Sequence, residues 1–77
     1  MKISEMRQKE VINISDGARL GFVYDVEFNI YTGMLEFIVV PGNKSMGFFA
    51  KNEDFTIPWK CIKKIGDDII LIEFEGN

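Results

Sequence analysis

From Val11 to Phe74, every stretch of β-branched and aromatic residues in this chain is cut short by a turn signal, which leaves no room for a long helix. Ser15-Asp16-Gly17, Tyr31-Thr32-Gly33, Pro41-Gly42-Asn43-Lys44-Ser45, Lys51-Asn52-Glu53-Asp54 and Gly66-Asp67-Asp68 supply the residues that reverse a backbone cheaply. Asp and Asn do so through local hydrogen bonds, glycine through freedom at positive φ. What lies between these punctuation marks must be short strands.

The first strand is carried by Val11, Ile12 and Ile14 and turns back at Ser15-Asp16-Gly17. Leu20 to Ile30 has the clearest pattern: Phe22, Tyr24, Val26, Phe28 and Ile30 alternate with Val23, Asp25, Glu27 and Asn29. A period of two predicts one half-buried antiparallel strand with the first set inward and the carboxylates outward. After Tyr31-Thr32-Gly33, Met34 to Val40 returns, with Leu35, Phe37 and Val39 opposed to Glu36 but also to Ile38 and Val40, so this strand is expected to be covered on both faces. Met46 to Ala50 reads as a short edge strand. Phe55, Ile57 and Trp59 alternate with Thr56 and Pro58, and since proline has no amide proton for a ladder, this strand should lie at an edge or end at Pro58. Cys61 to Ile65 then leads through a hairpin at Gly66-Asp67-Asp68 into Ile69–Phe74, the most apolar run, which belongs in the middle of the sheet. Near the start, Ser4 is placed to cap a short helical turn with Glu5 in its first turn.

The expected fold is all-β: a small closed or partly open antiparallel barrel of about six strands, formed by residues 1–77 as a single domain. Closure removes the unpaired edges and covers the Phe, Ile and Val face that an open sheet of this size would expose. A domain of 77 residues hides only about 60% of its unfolded surface, so the core is thin, and seven Phe partly compensate.

Composition narrows the chemistry. The chain has no histidine and one cysteine, Cys61, so an internal disulfide is excluded and the usual base for a nucleophile is missing. A net charge of −3 argues against general capture of nucleic acid or anionic lipid. The first residues hold no apolar stretch for a signal peptide, and no run approaches the roughly 20 apolar residues of a membrane helix, which leads us to expect a soluble, cytoplasmic protein without membrane insertion.

Asp16-Gly17 ahead of Leu20-Gly21, then Val23, Asp25 and Val26, the Thr32-Gly33 turn, Ile57-Pro58-Trp59 and Ile65-Gly66-Asp67-Asp68-Ile69-Ile70-Leu71 together resemble the PRC-barrel superfamily, and within it the YlmC/YmxH-type sporulation proteins of spore-forming Gram-positive bacteria. The resemblance runs from about Ile3 to Glu73. It implies a compact β-barrel related to a domain of the photosynthetic reaction centre and to the C-terminal domain of the ribosome maturation factor. In that superfamily the barrel generally serves as an assembly module, and no catalytic residues are established to carry over. The resemblance thus implies a non-enzymatic protein associated with sporulation.

Four groups of side chains merit attention as sites. Met46-Gly47-Phe48-Phe49 places two phenylalanines in succession, which on an extended chain point to opposite faces. One ring is then left outside unless a folded-back loop covers it, and we expect Met46, Phe48 and Phe49 to bind a protein partner of unknown identity, with homodimerisation as an open alternative. Lys60, Lys63 and Lys64 beside Trp59, with Lys51 nearby, are the basic cluster through which an RNA- or ribosome-associated factor would act; the plainer reading has the lysines in solvent and Trp59 in the core. Asp25, Glu27 and Glu36 could gather around a hard cation or simply form a solvated strand face, and we assign no metal. Cys61 with Lys60 and Lys64 nearby is better read as a small buried hydrophobe than as a reactive thiol. No catalytic residue and no cofactor are implied.

Overall fold

The computed structural model describes residues 1–41 and 54–75. A one-turn helix, α1 (Ile3–Met6), opens the chain. Its cap position is Lys2 rather than Ser4; the Glu5 carboxylate reaches back to accept the Lys2 amide at 2.7 Å, so the acid closes the first turn and Ser4 falls inside the helix. Met6 turns inward to join the core.

Among the described residues seven strands follow: β1 (Glu10–Asn13), β2 (Ala18–Phe22), β3 (Asp25–Phe28), β4 (Leu35–Val40), β5 (Phe55–Pro58), β6 (Ile62–Ile65) and β7 (Ile69–Ile72). They form a four-stranded sheet in the order β2-β1-β7-β6 and a three-stranded sheet in the order β3-β4-β5. The expected β fold is present, with two corrections. Among the described residues the ladder is not one closed cylinder but two sheets. The pairing is also not wholly antiparallel, because β1 runs parallel to β7, with Glu10 opposite Ile69 and Asn13 opposite Ile72.

The chain changes sheet at two corners. One is a 3₁₀ turn, Trp59–Cys61, between β5 and β6. The other lies at Val23-Tyr24, in the middle of what the alternation from Leu20 to Ile30 presents as one strand. Leu20 is an extra residue in β2, since Val11 pairs with Gly21 while Ile12 pairs with Arg19. Such a bulge sharpens the local twist and shifts the side-chain phase, and Gly21 adjoins it at φ +94°. At this corner the predicted faces are inverted, with Phe22 49% exposed and Val23 1% exposed, whereas beyond it Val26 packs against the core and Asp25 and Glu27 face water as expected. Tyr24, Phe28 and Ile30, all expected inside, are exposed as well.

Elsewhere the pattern holds. Ile38, Val39 and Val40 of the central strand β4 are buried on both faces. Among the described residues β5 lies at the edge of its sheet, and it ends at Pro58. β7 sits between β1 and β6, with Ile70 and Ile72 fully buried. These residues meet Met6, Val11, Val23 and Ile57 in one shared core between the sheets, against which Trp59 and Cys61 pack half-buried.

One core position is polar. Asn13, at the end of β1, is buried, and its side chain is fully engaged: Nδ2 donates to the Phe74 carbonyl at 2.7 Å, while Oδ1 accepts from the amides of Phe74 at 3.2 Å and Ser15 at 3.1 Å. It clasps the residues after β7 to the β1–β2 turn. Lys9 does the corresponding work at the other end, where Nζ donates to the carbonyls of Gly66 and Asp67 in the β6–β7 turn at 2.5 and 2.7 Å.

Candidate functional site

The three most exposed large apolar side chains among the described residues stand together at the tip of the β3–β4 hairpin: Ile30 is 78% exposed, Tyr31 91% and Met34 67%. Phe28, at the base of the same loop, is 55% exposed. Four large apolar groups within seven residues are held in water, where an ordinary loop carries small polar ones.

This tip is fixed by its own hydrogen bonds. The Asn29 amide donates to the Met34 carbonyl at 2.8 Å and the Gly33 amide to the Asn29 carbonyl at 2.7 Å. Asn29 Oδ1 accepts from the amides of Tyr31 at 2.8 Å and Thr32 at 3.2 Å, and the Thr32 hydroxyl accepts from the Met34 amide at 3.2 Å. Gly33 stands at φ +76°, the left-handed region in which a side chain is strained. The turn that the sequence announces at Tyr31-Thr32-Gly33 is thus a rigid display of hydrophobic groups.

Below the tip, Phe37 pairs with Pro58 on one face of the three-stranded sheet, while the bulge between Glu27 and Phe28 puts the Phe28–Leu35 pair on the other, where Leu35 packs against the core. Leu35, Phe37, Pro58 and Trp59 line an open groove of about 430 Å³ flanked by Glu36 and Lys60.

A second open cavity, of about 400 Å³, lies between Leu20, Phe55 and Phe74 with Asn13 in its wall. Beside it, the Tyr24 hydroxyl donates to the Asp54 carboxylate, which raises the phenol above its usual value and ties the start of β5 to the corner between β2 and β3. On the opposite sheet Arg19 donates two bonds to the Glu10 carboxylate, at 3.0 and 2.8 Å, and this contact lowers the Glu10 carboxyl below its ordinary range.

The PRC-barrel domain family matches residues 1–76 of the chain. The chain belongs to that family. It is 45% identical over 73 residues to the probable sporulation protein YlmC of Bacillus subtilis, covering 94% of this chain and 90% of that one. An uncharacterized protein of Clostridium acetobutylicum is 39% identical over 70 residues, 91% of this chain and 80% of the relative. The uncharacterized protein YmxH of Bacillus subtilis is 33% identical over 75 residues, 95% and 88% respectively.

Within this PRC-barrel domain the residues singled out by sequence are distributed as follows. Met46, Phe48, Phe49 and Lys51 lie outside the described residues, as does the short edge strand expected at Met46 to Ala50. Lys60, Lys63 and Lys64 are exposed; Lys63 is the extra residue of a bulge in β6, so that it and Lys64 both face water, and its Nζ lies 3.8 Å from a Glu73 carboxylate oxygen. Asp25 and Glu27 are exposed and sit opposite Val39 and Phe37, while Glu36 accepts a bond from Asn29 Nδ2 at 3.3 Å. Among the described residues no group of three His, Cys, Asp or Glu is arranged to hold a metal ion. Cys61 is half-buried against the core. No helix among the described residues is long and apolar enough to cross a membrane.

The hairpin tip is not legible as a site from alternation, which assigns Phe28 and Ile30 to the interior. The signal that finds it is the turn itself. A reversal with Thr-Gly at its centre lies at the surface, so the Ile30, Tyr31 and Met34 that flank it have no sheet to cover them.

Proposed function

We propose that this domain is a non-catalytic protein-interaction and assembly module whose docking point is the tip of the β3–β4 hairpin. Its setting is sporulation, as the name of the related YlmC suggests. The observation that carries the reading is the exposure of Phe28, Ile30, Tyr31 and Met34 on a loop already fixed by hydrogen bonds. Burying apolar area contributes about 25 cal/mol per Å², and a preformed loop loses little conformational freedom when a partner covers it. Aromatic residues and methionine are also the apolar types enriched at protein interfaces. The chemical counterpart is weak, since the chain offers no histidine and its one thiol is half-buried.

Ile30→Asp/Tyr31→Asp tests the reading. Both positions are exposed and outside the core, so the variant should fold, which far-UV circular dichroism checks. Affinity capture from sporulating cells with wild type should recover one or more proteins that the variant does not. An identical set of captured proteins would refute the role of the tip. Met46, Phe48 and Phe49 are proposed from sequence as further contact residues, and Phe48→Asp and Phe49→Asp belong in the same experiment. Light scattering on wild type, Phe48→Asp and Phe49→Asp tests homodimerisation through that segment, which would read as a dimer mass in wild type that the variants lose.

A further inference from the structure

Among the described residues the β3–β4 hairpin itself carries charge of one sign, and Lys60 flanks the groove below it. Between Arg19 and Lys44 the sequence contains Asp25, Glu27 and Glu36 and neither lysine nor arginine. All three carboxylates are exposed, and Glu36 is held at the base of the loop by its bond to Asn29. Strand geometry of about 3.3 Å per residue puts Glu27 roughly 10 Å along the chain from Ile30. Glu36 is roughly 7 Å along from Met34 on the same scale. Both distances are comparable with the screening length of about 8 Å at physiological salt, so anything that covers the apolar tip lies within the field of these acids.

We propose that the partner of this hairpin is a cationic amphipathic protein segment, with Lys or Arg flanking the apolar side chains that cover Ile30, Tyr31 and Met34. This inference rests on the interaction reading above and adds the chemistry of the partner. Potentials across an interface are complementary, and like charges set face to face are strongly unfavourable. An acidic rim therefore selects against an acidic partner, and against a symmetric contact that would bring two copies of this hairpin together. It selects equally against the anionic inner face of a membrane, although an exposed Ile-Tyr-Met loop would otherwise suit insertion. Specificity then divides between the two kinds of group: the apolar tip supplies affinity and the acids choose among partners that could supply apolar cover.

The test is selection of a random 16-residue peptide display library on the immobilised full chain at physiological salt. Parallel selections use Glu27→Gln/Glu36→Gln, which removes the charge and preserves an acceptor for Asn29, and Ile30→Asp/Tyr31→Asp. Enriched peptides should interleave Lys or Arg with apolar residues, bind the neutralised rim roughly two- to thirtyfold more weakly, and fail to bind the tip variant. Enrichment of neutral or acidic peptides, of no peptide at all, or unchanged affinity for Glu27→Gln/Glu36→Gln would overturn the charge inference while tip dependence leaves the docking role intact. Cationic peptides that bind the tip variant as well as wild type would overturn both. Tip-dependent sedimentation with phosphatidylcholine vesicles, or a tip-dependent dimer of the chain alone, would replace the cationic segment with a lipid surface or a second copy.

Discussion

Replacing Asn13 with alanine should be the most damaging polar substitution in the domain. Three hydrogen bonds disappear together: Nδ2 to the Phe74 carbonyl at 2.7 Å, and Oδ1 to the amides of Phe74 at 3.2 Å and Ser15 at 3.1 Å. A net value of about 1 kcal/mol each gives about 3 kcal/mol, and Phe74 is only half-buried, so water recovers part of that and leaves about 2 to 3 kcal/mol. For a domain of this size such a loss lowers the melting temperature by roughly 8 to 24 °C. Urea unfolding followed by tryptophan fluorescence should show a lower midpoint at unchanged slope. A loss below about 1 kcal/mol would refute the reasoning, because it would mean that the clasp on Phe74 is replaced by solvent without cost. Asn13→Asp sharpens the test. It keeps both acceptor roles but sets a carboxylate against the Phe74 carbonyl in a buried position, so its folded-state pKa is raised. The variant should then be closest to wild type at pH values below the ordinary carboxylate value of about 3.9 and lose ground as pH rises through the folded value.

Three further outcomes follow from the geometry. Glu10, lowered by its contact with Arg19, stabilises the fold at pH above its unfolded value and ceases to do so as pH falls through the folded one; in Arg19→Gln its carboxyl midpoint, read by NMR, should move up. Tyr24, raised chiefly by its bond to Asp54, contributes below its unfolded value and loses that contribution as pH rises through the folded one, so Asp54→Asn should bring the phenolate absorbance transition to lower pH. Gly33→Ala meets no atom within 4 Å but must adopt φ +76°, which should cost about 1–2 kcal/mol in thermal unfolding while leaving the core untouched.

What could be read in the sequence was local. Gly66-Asp67-Asp68 joins β6 to β7 as its turn chemistry indicates, Pro58 ends β5 because it lacks the amide, and the unbroken apolar character of Ile38 to Val40 reports a strand covered on both faces. What misled was a period of two that continues through a bulge. The alternation from Leu20 to Ile30 is real, and Val26 faces the core with Asp25 and Glu27 outside as it predicts, yet the extra residue at Leu20 and the corner at Val23-Tyr24 exchange Phe22 and Val23, and Tyr24, Phe28 and Ile30 are left exposed. Asn13 is not legible for a related reason: a polar residue at a core position breaks the pattern that marks the core, and two of its three bonds reach Phe74, far along the chain. The parallel pairing of β1 with β7 is likewise invisible to any window of neighbouring residues. The candidate site divides in the same way, since Thr32-Gly33 identifies the turn but only the two-sheet arrangement shows that Phe28 and Ile30 leave the core with it.

The parallel pairing also governs the order in which the domain can assemble during synthesis. β1 is the inner neighbour of both β2 and β7, so the first hairpin emerges from the ribosome with one flank of β1 bare until Ile69–Ile72 has been made. Residues as far as Ile72 must be translated before that flank is covered. Until then one side of β1 is an open seam of unpaired amides and carbonyls, the kind of edge on which a second chain can pair.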